Sequence, residues 1–247
     1  MSQVYDRIGA GYAAQRRPDP RIAAAILEAL GGCDPVLNVG AGAGSYEPRD
    51  RRVVAVEPAR TMLRQRARDA APAVQGSGVR LPFADGAFAA ALAVLTIHHW
   101  PDQERGLAEL RRVARERVVL LTWVPDVAEL WLTRDYFPGI LALDRRLFPG
   151  LDELARRLGP LQARAVPVPH DCVDGFLGAH WRRPAAYLEP TVRAAMSSFA
   201  HLPPDELERG LERLRADLAS GAWAARQADI LGRDALDIGY RLIVAAA

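Results

Sequence analysis

Short, nearly continuous apolar runs recur through the first half of the chain: VLNV at 36–39, VVAV at 53–56, FAAALAVLTI at 88–97 and RVVLLT at 117–122. Runs of this length, apolar at successive positions, predict strands buried on both faces. Helical patterns at 58–70 and 102–115 fall between some of them. A first helix is marked at both ends, by Asp19 as N-cap and Pro20 at its first position, then RIAAAILEAL, then Gly31 and Gly32 as the stop. Strands alternating with helices predict an α/β architecture with a parallel sheet covered on both sides. Beyond residue 124 the texture turns helical, in DVAELWLTRDYFPGILALDRRLF, in LDELARRLG, and over 171–235. A strand-like ARAVPVPH at 163–170 interrupts it, and DIGYRLIVAAA closes the chain as a buried strand. The second half therefore reads as a helical lid threaded into the same sheet, because its last strand needs a partner.

Composition narrows the chemistry. Half of the 247 residues are hydrophobic and a quarter charged, enough for a sizeable core. All 32 basic residues are arginine, so lysine takes part in no mechanism. The arginine pairs 51/52, 111/112, 145/146, 156/157 and 182/183 are scattered among acids, which describes a solvated face and not a nucleic-acid surface. Two cysteines, Cys33 and Cys172, make no disulfide framework or metal cluster. No run approaches the ~18 apolar residues of a membrane span, and the first residues lack a signal-peptide core, so the expected location is cytoplasmic.

Gly40, Gly42 and Gly44 follow the first strand as G-x-G-x-G, where glycines let backbone amides approach a ligand at the carboxyl end of a strand. Glu57 closes the second strand, where a carboxylate can accept the hydroxyls of a ribose; the same side chain could instead cap the following helix. Spacing separates the possible ligands. A dinucleotide needs its pyrophosphate over a helix N-terminus, yet only SYEPRDRR separates Gly44 from Val53, and a crossover with its helix takes at least about 10–12 residues. Pro48 would also break such a helix. A ligand with adenosine but no phosphate loses much less.

These residues resemble the class I S-adenosylmethionine-dependent methyltransferases of the small-molecule type. The resemblance rests on VLNVGAGAGSYE, on VVAVEP with Met62 just inside the next helix, on GSGVRLPFADGAF at 76–88 and on LAVLTIHHWPDQERGLAELRRVAR at 92–115. It implies a Rossmann-like α/β fold whose seven-stranded, mostly parallel sheet has an antiparallel last strand, with helical lid insertions. The expected division is one methyltransferase domain over 1–247, with a flap at 1–19, a cofactor-binding core at 20–124, lid segments at 125–160 and 171–236, and a final strand at 237–247.

By the same resemblance, S-adenosylmethionine is the cofactor and S-adenosylhomocysteine its product. Asn38, Gly40, Ala41, Gly42 and Gly44 would line the methionine part, Glu57 the ribose and Met62 the adenine face. Ser77 and Gly78 would meet the adenine edge, and Leu95 and Thr96 would lie beneath the cofactor. From the flap, Tyr5, Tyr12 and Arg16 would close over it, with Arg16 matched to the amino acid carboxylate. Asn38, Ser77 and Ala89 stand where the family often has acids. The lid resembles a subgroup of bacterial methyltransferases, some of them linked to natural-product pathways.

Methyl transfer from a sulfonium needs mainly proximity and alignment, and a base only if the acceptor arrives protonated. His98 and His99, just past the fourth strand, are the candidate proton acceptors, although the pair could equally be packing residues. His170 is a rival from the lid. Trp131, Tyr136 and Trp181 are candidates for a flat substrate, against the plainer expectation that aromatic residues at helical spacing form core. The expected partner is a small-molecule substrate, with no nucleic acid, membrane or metal. Two rival functions stay open: a nicotinamide-dependent oxidoreductase, and a non-catalytic binder of an adenosyl ligand.

Overall fold

The computed structural model describes residues 15–247. Helix α1 (Pro20–Leu30) starts where its signals lie: the Asp19 side chain accepts from the Arg21 N–H at 3.0 Å, and Gly31 ends it at φ 55°. Its buried face is Ile22, Ile26 and Leu30, spaced by whole turns. Strands β1 (Val36–Val39), β2 (Val53–Glu57), β3 (Ala73–Gln75), β4 (Phe88–Val94), β5 (Ala114–Trp123) and β6 (Leu161–Ala165) join β9 (Tyr240–Ala246) in one sheet. Its order is β3-β2-β1-β4-β5-β9-β6. Six strands are parallel. The last is antiparallel to both neighbours, with Ile243 opposite Leu120 of β5 and Ala163 of β6.

Alternate side chains of the central strands enter two cores. Val36, Ala90, Leu92, Val119 and Leu121 face α1 and the lid. Leu37, Val39, Ala91, Ala93, Val118 and Leu120 face α3 (Gln103–Val113) and α5 (Leu151–Leu158). This two-sided burial explains the continuous apolar runs. It also explains why β3 leaves no trace in the pattern: all three of its residues are exposed at the sheet edge.

Several boundaries differ from those expected, each for a local reason. Helix α2 covers only Arg60–Arg64, because the chain then carries Arg66 inward to Glu47 and to the Ala71 carbonyl. Strand β4 stops at Val94 because Leu95 turns into the left-handed region at φ 50°. The expected strand at 163–170 is divided at Pro167 into β6 and a two-residue β7 (Val168–Pro169), which pairs with β8 (Ala235–Leu236) in a separate ribbon. The helical run at 126–148 is a π-helical turn at Leu132–Tyr136 followed by α4 (Pro138–Leu147). The stretch 171–235 is mostly short turns punctuated by Gly175, Pro184, Pro190 and Gly221, with one long helix, α6 (Pro204–Ser220). Among the described residues, no helix is long and apolar enough to cross a membrane, and no group of His, Cys, Asp and Glu could hold a metal ion.

Candidate active site

The carboxyl ends of β2, β1 and β4 lie side by side where the strand order reverses, the place at which an open α/β sheet forms a crevice. After β1 the chain crosses to β2 through residues 40–52 with turns and no helix. Gly40, Gly42 and Gly44 all adopt positive φ, at 71°, 55° and 100°. At Gly40 a Cβ would collide with the Thr96 side chain, so only glycine fits both the backbone and the space. The turn is braced from behind by Glu47, which accepts from Arg66 Nη2 at 2.8 Å, from Asn38 Nδ2 at 3.3 Å and from the Ala71 N–H at 3.3 Å. Both ends of that ion pair are buried, with 7% of each side chain exposed, so removal of either would strand a charge.

Glu57 is 6% exposed and accepts from the Gly42 N–H at 2.8 Å through Oε2 and from the Ala59 N–H at 2.9 Å through Oε1. Burial raises its carboxyl above the usual range, and the two N–H donors with the nearby Arg66 oppose the rise. Each oxygen keeps acceptor capacity for a further donor. Glu57 thus ties the start of the α2 segment and at the same time lines a cavity.

That cavity, of about 300 Å³, is walled by the glycine turn, Asn38, Glu57, Met62, Ser77, Gly78, Leu95, Thr96 and the His99–Pro101 segment. Asn38 donates through Nδ2 to Glu47, so its remaining acceptor is Oδ1. The fit to an adenosyl amino acid is good: an apolar slot beside Met62 and Gly78 for a flat ring, a carboxylate for two hydroxyls, and a glycine cradle whose Cβ positions are blocked at Gly40 and tight against Met62 at Gly42.

A second, inner chamber of about 70 Å³ shares Arg16, Leu95 and His99 with the first. Its other walls come from the end of β5, the lid and the last strand, including Trp123, Thr133, Asp144, Phe148, Phe176, Ser198 and Tyr240. Arg16 Nε donates to Asp174 at 2.7 Å, and Asp174 also accepts from the Tyr46 hydroxyl, which locks the segment before α1 to the lid. His98 stacks on Phe148 with ring centres 4.1 Å apart, and its Nδ1 has no hydrogen-bond partner among the described residues. Burial drives the His98 imidazole well below its usual range. Burial, with the positive charge of His201 and Arg16, takes His99 down to about 4. Both are neutral at physiological pH.

The structure therefore brings Arg16, Asn38, Gly40, Ala41, Gly42, Glu57, Met62, Ser77, Gly78, Leu95, Thr96 and His99 to one cavity. Gly44 braces the same turn, and His98 faces the inner chamber. The lid candidates lie elsewhere. Trp131 and Trp181 are buried in the lid core, each donating its indole N–H to a backbone carbonyl. The Tyr136 hydroxyl bonds Asp217 and Arg226, and His170 contacts the Asp234 carbonyl. Tyr5 and Tyr12 lie outside the described residues. Sequence reasoning missed Glu47 and Asp144. Only Asp144 carries a signal: it follows Ile140 by one turn on the inward face of α4, a charged residue at an apolar-face position.

Comparison with known proteins places the chain in a family. The methyltransferase domain model matches residues 37–122, the span that holds the glycine turn, Glu57 and the β4 end. A candidate methyltransferase from an antibiotic biosynthesis pathway of Anabaena variabilis ATCC 29413 is 35% identical, with 94% of this chain and 99% of that one covered at a TM-score of 0.87. An S-adenosylmethionine-dependent methyltransferase from Thermotoga maritima aligns over 100% and 99% of the two chains at 15% identity and TM-score 0.60. The YcgJ protein from Bacillus subtilis aligns over 92% and 97% at 17% and 0.55. At these lower identities the likeness is one of fold. No curated protein matches the chain.

A seven-stranded sheet with one antiparallel strand, and a glycine-lined cavity at its switch point with no helix between β1 and β2, define a methyltransferase fold. The chain belongs to the class I S-adenosylmethionine-dependent methyltransferases, and S-adenosylmethionine is its cofactor.

Proposed function

We propose that the chain methylates a small metabolite held in the inner chamber. The observation that carries this is the shared wall of the two spaces: Arg16, Leu95 and His99 line both, so ligands bound in each would face one another across it. When bound, S-adenosylmethionine supplies an activated methyl carbon on a sulfonium. The chain's own part is to hold and align. Glu57 would accept the ribose hydroxyls, the Gly40–Gly44 turn would present backbone at close range, and Leu95, fixed in a left-handed conformation, would set the boundary between the two spaces. The lid keeps bulk water from the junction with Phe148, Phe176 and Leu130. Buried, neutral His98 and His99 are weak bases, which favours alignment over proton removal by histidine as their role. The Anabaena relative's pathway supports a natural-product acceptor.

Calorimetry with S-adenosylmethionine, S-adenosylhomocysteine and NADH tests the reading. Binding of both adenosyl ligands and not of NADH is expected, with Glu57→Ala weakening the adenosyl ligands by about 10- to 100-fold, the worth of one to two charged hydrogen bonds. NADH binding without either adenosyl ligand would favour the oxidoreductase. Adenosyl binding without methyl transfer to any member of an acceptor panel would favour the non-catalytic binder.

A further inference from the structure

Building on the methyltransferase reading, we propose that the acceptor is an amine and that Asp144 determines this specificity, holding the acceptor's ammonium group and taking its proton.

Asp144 lies on the inward face of α4, one turn beyond the buried Ile140, and is 7% exposed. Its carboxylate makes no ion pair with any described residue. Its one side-chain hydrogen bond comes from the Ser198 hydroxyl at a long 3.4 Å. The groups that could otherwise neutralise it are committed elsewhere or carry no charge. Arg16 holds Asp174 through Nε; His98 and His99 are neutral; the Tyr240 hydroxyl accepts from the Gly178 N–H; and Thr133 donates back to the Leu130 carbonyl. On α4 itself, Arg145 pairs with Asp126 on the exposed side and Arg146 is exposed. The Asp144 carboxylate faces a chamber it shares with Trp123, Phe148 and Phe176 and, among the described residues, has no ion-pair partner there; an ammonium group on a compact apolar body supplies the counter-charge. The aromatic faces add to the attraction for a cation.

The step balances. An N–H bond of the ammonium breaks and its proton passes to the Asp144 carboxylate, which frees the nitrogen lone pair. That pair forms the new N–CH3 bond as the carbon–sulfur bond of the sulfonium breaks with its electrons retained on sulfur. The methylated ammonium leaves and Asp144 releases the proton to solvent. Burial pushes the Asp144 carboxyl up to about 7, with Ser198 opposing, so the proton can be taken and returned near neutral pH.

Calorimetry on the full chain tests this with ethylamine and ethanol as probes small enough for the chamber, after saturation with S-adenosylhomocysteine. Failure of S-adenosylhomocysteine to bind would overturn the methyltransferase reading itself and the amine assignment with it. If it binds, ethylamine is expected to bind at least about tenfold more tightly than ethanol at about pH 8, with the preference shrinking at about pH 5.5 as Asp144 protonates. In Asp144→Asn the preference is expected to vanish. Absent ethylamine binding, equal affinity for the two probes, or a preference that survives Asp144→Asn would overturn the amine assignment alone. Should that variant not fold, the wild-type pH comparison decides, since a preference unchanged at about pH 5.5 has the same effect.

Discussion

The outer cavity and the inner chamber are built on opposite plans. The outer one is made of backbone and short side chains delivered by three neighbouring strand ends, and its acid, Glu57, is held by two N–H donors of the same loops. The inner one is made of side chains from many separated segments, and its acid, Asp144, has only a distant hydroxyl among the described residues. On the proposed function, the difference follows from what each would recognise. A shared cofactor can be gripped through the geometry every parallel sheet provides at its switch point, whereas an acceptor is distinguished by side chains on a lid free to vary around that frame.

The contrast can be broken most forcefully on the backbone side. Gly40→Ala places a methyl group against Thr96 at a φ of 71°, so S-adenosylhomocysteine affinity should fall by roughly 100-fold or more in calorimetry, because the turn cannot shift without moving the end of β4. Affinity within a few-fold of wild type would mean that the turn is not shaped for close approach.

The chamber side predicts the reverse, a gain in stability when its acid is neutralised. The folded state raises the Asp144 carboxyl from 3.8 to about 7, so the native protein binds the proton more tightly than the unfolded chain does. Stability is then greatest below pH 4 and declines as pH rises to 7. Asp144→Asn should accordingly gain up to about 4 kcal/mol over wild type at about pH 8, read from urea unfolding, with the gap closing towards about pH 4. No gain at either pH would mean that the carboxylate has a counter-charge.

His99 should show the smaller effect with opposite sign. Its folded pKa is depressed from 6.5 to about 4, so the stability it confers is full above 6.5 and is lost as pH falls through 4. His99→Gln should therefore reduce the loss of stability between those pH values by up to about 3 kcal/mol in thermal melts, leaving the remainder to His98.

Legibility in the sequence divides along the same line. Strands with both faces buried, β1, β2, β4 and β5, stand out as apolar runs, and α1 is signalled by its cap, its proline and its terminal glycine. The glycine turn and Glu57 are contiguous with those strands, so they could be placed from spacing alone. Exposed edge strands carry no such signature, as β3 shows, and β6 was displaced because four of its five residues are exposed. Glu47 and Arg66 meet across 19 residues of irregular chain, and Asp174 reaches Tyr46 across 128, pairings that no local pattern encodes. The aromatic residues of the lid were visible as a group. Which of them line a chamber and which fill a core depends on the breaks at Phe137–Pro138 and Gly175, where a continuous helical pattern misleads about direction.

The most direct test of the two-compartment site is a crystal structure with S-adenosylhomocysteine bound. The account predicts both ribose hydroxyls on the Glu57 carboxylate, the adenine between Met62 and Gly78, and the sulfur at the opening bounded by Leu95 and His99, facing the chamber that holds Asp144. A ribose away from Glu57, or a sulfur directed away from that opening, would contradict it.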